Sequence, residues 1–247
     1  TYKLNSKIYK KHKSRYIKIT RNQIRILESL MNDGGKTKKY YDKNNKLRYS
    51  EHSGLLDFGK STLQRILINA TKNLSYDKDD VILLPNNIPD SFDYEYVFHT
   101  HPITPTPGSR IKDGFLFEFP SISDVFHFIE HHNFGKIQGS IVIAPEGLYI
   151  IKAINPNKII NIKNQDKVYN YLVDKHFEIQ EKAIKKYYNK FNIKYFYNTI
   201  IKDRKFINIF NQSLKKLNVK IHYKQRIKGD NNLWIIDNFY LKVNPIE

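Results

Sequence analysis

The chain has 247 residues, 40% of them apolar or aromatic, a formal net charge of +18 and no cysteine. That length allows one large domain, or a domain with an appendage, around a sizeable core. Disulfides are excluded, any zinc must be held by nitrogen and oxygen, and no run approaches the ~20 apolar residues of a membrane span.

The charge is uneven. Residues 1–50 carry 15 Lys and Arg against 3 Asp and Glu, and residues 158–228 carry 18 against 5. Residues 51–157 carry 8 against 13, so an acidic middle lies between basic flanks. Such asymmetry predicts an anionic partner, nucleic acid or an acidic protein surface. Aromatics are interleaved with the lysines, as in Lys185-Lys186-Tyr187-Tyr188-Asn189-Lys190-Phe191, and aromatics beside cations can stack bases. The same spacing also describes a helix with an apolar face and a solvated lysine face.

In chain order, residues 1–15 read as a basic N-terminal arm. A strand is expected over 16–20 and a helix over 21–32, with Ile24, Leu27 and Met31 at helical intervals, Thr20 as cap and Asp33-Gly34-Gly35 as its end. Residues 51–58 and 63–70 read as strands joined through Gly59-Lys60-Ser61, and 81–84 is ambiguous. Residues 94–101 read as a buried strand stopped by Pro102. A short helix follows Pro120 over 121–133, then a hairpin of 137–144 and 148–154 around Pro145-Glu146-Gly147. Beyond residue 157, long helices over 165–191 and 203–217 precede strands over 219–226 and 233–243 around Gly229-Asp230-Asn231-Asn232. The order predicts an α/β fold, a mixed sheet flanked by helices, with a C-terminal helical and β-hairpin extension.

One stretch carries chemistry. His99-Thr100-His101-Pro102 ends the 94–101 strand, and residues i and i+2 of a strand face the same side, so His99 and His101 project together. Asp124, in Pro120-Ser121-Ile122-Ser123-Asp124, falls in the first turn of the next helix. Two imidazoles and a carboxylate are a common set for a catalytic zinc, which keeps a fourth position open for water. Such a site needs a general base and an oxyanion donor; Glu51 and Ser121 are the candidates. Taken alone, Ser121-x-x-Asp124 is an ordinary capping box variant.

Glu51, His99-Thr100-His101-Pro102 and Ser121-x-x-Asp124, in that order, resemble the JAMM (MPN+, JAB) metalloprotease family, whose pattern is a glutamate, H-[ST]-H-P and S-x-x-D. Gly54 and Leu56 extend the likeness to the family's E-x-x-G-x-L strand. The resemblance implies His99, His101 and Asp124 as Zn2+ ligands, Glu51 as the acid/base and Ser121 as the oxyanion stabiliser. It implies hydrolysis of isopeptide or peptide bonds beside ubiquitin or a ubiquitin-like tail. The implied domains are a JAMM-like unit over 16–157, with an inserted loop at 103–119, and a basic extension over 158–247. The insertion departs from the family, which places the serine eight residues after the second histidine; here the interval is twenty. Its wording and the Lys/Asn/Ile/Tyr-rich composition are similar to JAMM-like proteins of large DNA viruses. With no signal peptide at the start of this sequence, a cytoplasmic or virion location within a larger assembly is expected.

Other readings stand beside this one. The same fold could be a non-catalytic structural or interaction protein of a virion or a nucleic-acid complex. Glu95 and Glu118 are substitutes for Glu51. His127, His131 and His132 could form a second metal site, though a polar helix face is the simpler reading. A zinc deaminase requires cysteine ligands, and there are none.

Overall fold

The computed structural model describes residues 14–36, 39–41, 45, 47–68, 94–102, 106–135 and 137–244. The ambiguous 81–84 segment, most of the basic arm and the start of the insertion lie outside the described residues.

The strands are β1 (Arg15–Ile19), β2 (Lys39–Tyr41), β3 (Leu47–Tyr49), β4 (Ser53–Phe58), β5 (Leu63–Ile68), β6 (Tyr96–Thr100), β7 (Gly139–Ala144), β8 (Gly147–Ala153), β9 (Val219–Gln225), β10 (Ile227–Lys228), β11 (Trp234–Ile235) and β12 (Phe239–Val243). The α-helices are α1 (Arg21–Lys36), α2 (Ile122–Phe134), α3 (Gln165–Tyr187), α4 (Ile193–Asn198) and α5 (Lys205–Leu214). Six strands form one mixed sheet in the order β5-β4-β6-β7-β8-β9. Its neighbours are antiparallel except β6 and β7, which are parallel. This is the α/β class expected from the sequence.

Strand alternation divides the core between the two faces of the sheet. On one face, Leu55, Val97, Val142 and Tyr149 pack with α2, α3 and α5 through Val125, Phe128, Ile179 and Phe210. On the other, Leu56, Phe98, Ile141 and Ile143 pack with Ile24, Leu27 and Met31 of α1 and with Ile17, Leu241 and Val243. Those last three belong to a two-stranded ribbon of β1 and β12, which joins the two ends of the described chain.

Three elements differ from the sequence reading. Helix α1 runs through Gly34 and Gly35 to Lys36 instead of stopping at Asp33. A Cβ on Gly34 would lie 2.0 Å from the Ser50 carbonyl oxygen, so this glycine serves a close approach rather than a helix end. The 219–226 and 233–243 strands do not pair as one hairpin. β9 joins the main sheet beside β8, β10 and β11 make a small hairpin, and β12 crosses to β1. The insertion is no surface loop over its second half. After a 3-10 helix at Ser109–Asp113, Leu116, Phe117 and Phe119 are buried in the core with α3 and α5. Three large apolar side chains in four residues provide the driving force.

Candidate metal centre

Val97 and His99 of β6 point to the α2 face and Tyr96 and Phe98 to the other. His101, two residues past His99, keeps that side. Ser53 pairs with His99 in the antiparallel β4–β6 register. Continuing that register two residues places Glu51 opposite His101. The link is held by the Thr100 amide donating to the His52 carbonyl (2.9 Å) and the His52 amide donating to Thr100 Oγ1 (3.0 Å). Gly54 follows from the same packing, because a Cβ there would lie 1.9 Å from the Leu67 carbonyl oxygen and 2.6 Å from the Phe98 ring.

Parallel β6 and β7 cannot be joined by a tight turn and need a crossover. That crossover contains the insertion and α2, and it brings the first turn of α2 over the end of β6. Ser121 caps the helix in a full capping box. Its Oγ accepts from the Asp124 amide at 3.1 Å, and its amide donates to Asp124 Oδ2 at 2.7 Å. Both Ser121 and Asp124 are therefore fixed in place. The Ser121 hydroxyl proton remains available to donate, since Oγ is engaged only as an acceptor in that box.

Three donors converge. His99 Nε2 and His101 Nε2 are 3.3 Å apart; His99 Nε2 is 3.3 Å from Asp124 Oδ1 and His101 Nε2 is 3.5 Å from Asp124 Oδ2. Ligand atoms of a tetrahedral zinc with bonds of ~2.0–2.1 Å stand about 3.4 Å apart, and each imidazole meets that spacing with the other and with one Asp124 oxygen, Oδ1 for His99 and Oδ2 for His101. Glu51, His99 and His101 also present ligand atoms within 4.8 Å of one another, and this group could hold a metal ion.

The charges favour a cation. Burial opposes protonation of His101. The hydrogen bond to Asp124 and the charges of Glu51, Asp124 and Glu118 outweigh it and raise the imidazole to about 10. Burial would raise the Asp124 carboxyl, but the two histidines hold it well below the usual carboxylate range. Glu51 is exposed as a residue, yet its carboxyl end reaches down among the imidazoles and is dehydrated there. That dehydration raises its pKa, against the lowering pull of His101 and His99.

An outer layer orients these side chains. His101 Nδ1 lies 3.1 Å from the Glu118 carbonyl oxygen. A carbonyl can only accept, so Nδ1 carries the proton and Nε2 is left to face the other donors. Glu118 is held in turn by its amide, which donates to Glu146 Oε1 at 2.7 Å. The same oxygen accepts from Tyr149 Oη at 2.7 Å. Burial and the nearby Glu118 charge push the Glu146 carboxyl up to about 7. Gln180 of α3, fully buried, closes the other side. Its Oε1 accepts from the Leu116 and Phe117 amides at 3.1 and 3.2 Å, and its Nε2 donates to the Phe117 carbonyl at 2.7 Å.

Glu51, His99, His101, Ser121 and Asp124 are thus gathered at one place. Glu95 is elsewhere, its carboxylate accepting from the Phe58 amide at 3.2 Å. Glu118 is adjacent but pairs with Arg110. His127 and His131 line a small cavity with His99, Asp124 and Ser140. His132 Nδ1 lies 3.3 Å from the Ile137 carbonyl. Among the described residues, these three histidines do not assemble a second metal group. Sequence reasoning missed Gln180 and Glu146, whose roles depend on contacts 63 and 28 residues away. A lone glutamine on a helix and an acid in a turn gave no signal.

Over 237 residues the chain is 31% identical to an uncharacterized protein of Acanthamoeba polyphaga mimivirus. The match takes in 92% of this chain and 65% of the relative, so the chain spans somewhat less than two thirds of that viral protein's length. No protein-family model matches the chain, and no solved structure matches it.

Proposed function

We propose that this chain is a zinc-dependent hydrolase of the JAMM type that cleaves isopeptide or peptide bonds, its substrate a ubiquitin-like protein or a peptide. One observation carries the reading: His99 Nε2 and His101 Nε2, 3.3 Å apart, each meet an oxygen of Asp124, at 3.3 and 3.5 Å, in a pocket whose charges call for a cation. Zinc held there supplies a Lewis acid and lowers the pKa of water to ~7.

The protein's own residues do the rest. His99, His101 and Asp124 hold the ion, with Glu118 fixing the His101 tautomer. Glu51, facing His101 from the end of β4, takes and returns the proton at its carboxyl. Dehydration raises its pKa from the ordinary carboxylate value, the direction that makes it a better base. Ser121, clamped as the α2 cap, would donate a hydrogen bond from its hydroxyl to the developing oxyanion. The mimivirus relative supports a viral setting, in which such an enzyme would act in the host cytoplasm or within a virion.

The test is elemental analysis of the purified chain together with cleavage assays on ubiquitin chains and fluorogenic peptides. The expected result is about one zinc per chain and turnover that disappears on chelation. A chain that takes up no zinc even after supplementation would overturn the reading in favour of a scaffold.

A further inference from the structure

We propose that the outward face of the β1–β12 ribbon, continued by lysines of β8 and β9, binds single-stranded nucleic acid. The ribbon buries Ile17, Ile19, Phe239, Leu241 and Val243 against the sheet, so the alternate positions face outward. Those positions are two tyrosines and two lysines. The register sets Tyr16 opposite Lys242 and Lys18 opposite Tyr240, so each ring has a cation across from it. Tyr16 is 68% exposed and Tyr240 62%. Neither ring is needed to cover the core. On such a ribbon diagonal neighbours stand about 7–8 Å apart, a spacing that admits one base on each ring.

The positive charge extends past β12. Lys152 of β8 donates to the Tyr96 hydroxyl at 2.6 Å and to the Lys242 carbonyl at 3.1 Å, which places it at the ribbon's flank. The β8–β9 register sets Lys220 opposite Lys152 and His222 opposite Ile150, all on the ribbon side of the sheet. These cations crowd one another. Burial and Lys242 lower Lys152 to about 8, and burial, Lys220 and Lys152 hold His222 low. A polyanion laid along the face relieves that repulsion.

The aromatics choose among polyanions. Unpaired bases offer a flat face to an exposed tyrosine, whereas a duplex hides its base faces and an acidic peptide has none to offer. The surface lies on the opposite side of the sheet from His99 and Asp124, so it stands or falls independently of the metal centre.

Fluorescence anisotropy of the full chain with labelled 12-nucleotide dT and rU oligomers tests the proposal. A labelled duplex and labelled heparin serve as comparators, and thermal melts check each variant. The double variant Tyr16→Ala/Tyr240→Ala should weaken oligomer binding about tenfold or more and leave heparin binding unchanged. Tyr16→Phe/Tyr240→Phe should bind like wild type. Lys18→Gln/Lys242→Gln should reduce the slope of log K against log salt by about 1.4. Single Tyr240→Ala, with about half the effect on a logarithmic scale, covers the case of a double variant that folds poorly. Equal binding by wild type and the Tyr→Ala double variant would overturn the proposal. So would a parallel loss for heparin, or a preference for duplex.

Discussion

The Glu118 carbonyl accepts a hydrogen bond from His101 Nδ1 at 3.1 Å, which ties the insertion to the proposed metal centre. The peptides just before this carbonyl are braced from two directions, by Glu146 in the β7–β8 turn and by Gln180 on α3. The segment beyond residue 157 therefore braces the site through Gln180. Replacing Gln180 with Leu leaves two amides and a carbonyl unpaired in the core. We expect a loss of about 3 kcal/mol of stability and a fall of about 10–100-fold in zinc affinity. Denaturant melts and competition with a zinc chelator measure the two effects. A variant that loses stability but binds zinc normally would show that the brace does not reach the ligand.

His101→Ala removes one of three converging nitrogen and oxygen donors, and Asp124→Ala removes another. Each is expected to abolish stoichiometric zinc binding, as read by elemental analysis after dialysis. Asp124→Ala also loses the acceptor for the Ser121 amide, which should cost about 1 kcal/mol more through the cap. Retention of one zinc by Asp124→Ala but not by His101→Ala would move the ligand set to Glu51, His99 and His101, and retention by both would place the zinc elsewhere.

Glu51→Gln keeps the size of the side chain and removes its ability to carry a proton. It should retain zinc and reduce kcat by about 10²–10⁴-fold. If zinc were lost with turnover, Glu51 would be a ligand, a role that its place within 4.8 Å of both imidazoles allows.

Stability should depend on pH through His176. Burial, then the charge of His101, lowers this imidazole to about 4, and its Nε2 has no hydrogen-bond partner. Its folded value is below the unfolded 6.5, so the unfolded chain binds the extra proton. Its contribution is intact above pH 6.5 and is lost as pH falls toward 4, by about 3 kcal/mol in all. Glu146 runs the other way. Its folded value of about 7 exceeds the usual 4.5, so its contribution is intact at low pH and is lost as pH rises through 7. The two overlap, and the useful quantity is the difference between wild type and His176→Leu, measured by urea melts in chelator. That difference should shrink toward pH 4 in the wild type's disfavour. A difference that stayed constant from pH 7 to 4 would show that His176 does not titrate as its burial implies.

The site was more legible than the architecture around it. H-x-H on a strand and S-x-x-D at a helix start are local patterns, and local geometry carries them into space: i and i+2 share a strand face, and a capping box fixes a first turn. Glu51 could be placed only by resemblance, because its position opposite His101 depends on the β4–β6 register. The insertion was read as a loop from its prolines and glycines. Its buried half is decided by Leu116, Phe117 and Phe119, whose partners Ile179, Phe206 and Phe210 come from α3 and α5.

The residues alone determined the chemistry on offer: two imidazoles, an aspartate, a glutamate and a serine in order, no thiol, and strands and helices whose apolar periods can be read off directly. They also determined the alternation that turns Tyr16 and Lys18 away from the core. Tertiary structure decided which strands meet. The β1–β12 ribbon, the sixth strand β9 and the Glu118–His101 contact all pair residues far apart in the chain. Such pairings depend on which apolar faces can be buried together, a property of the whole assembly of elements that no local window contains.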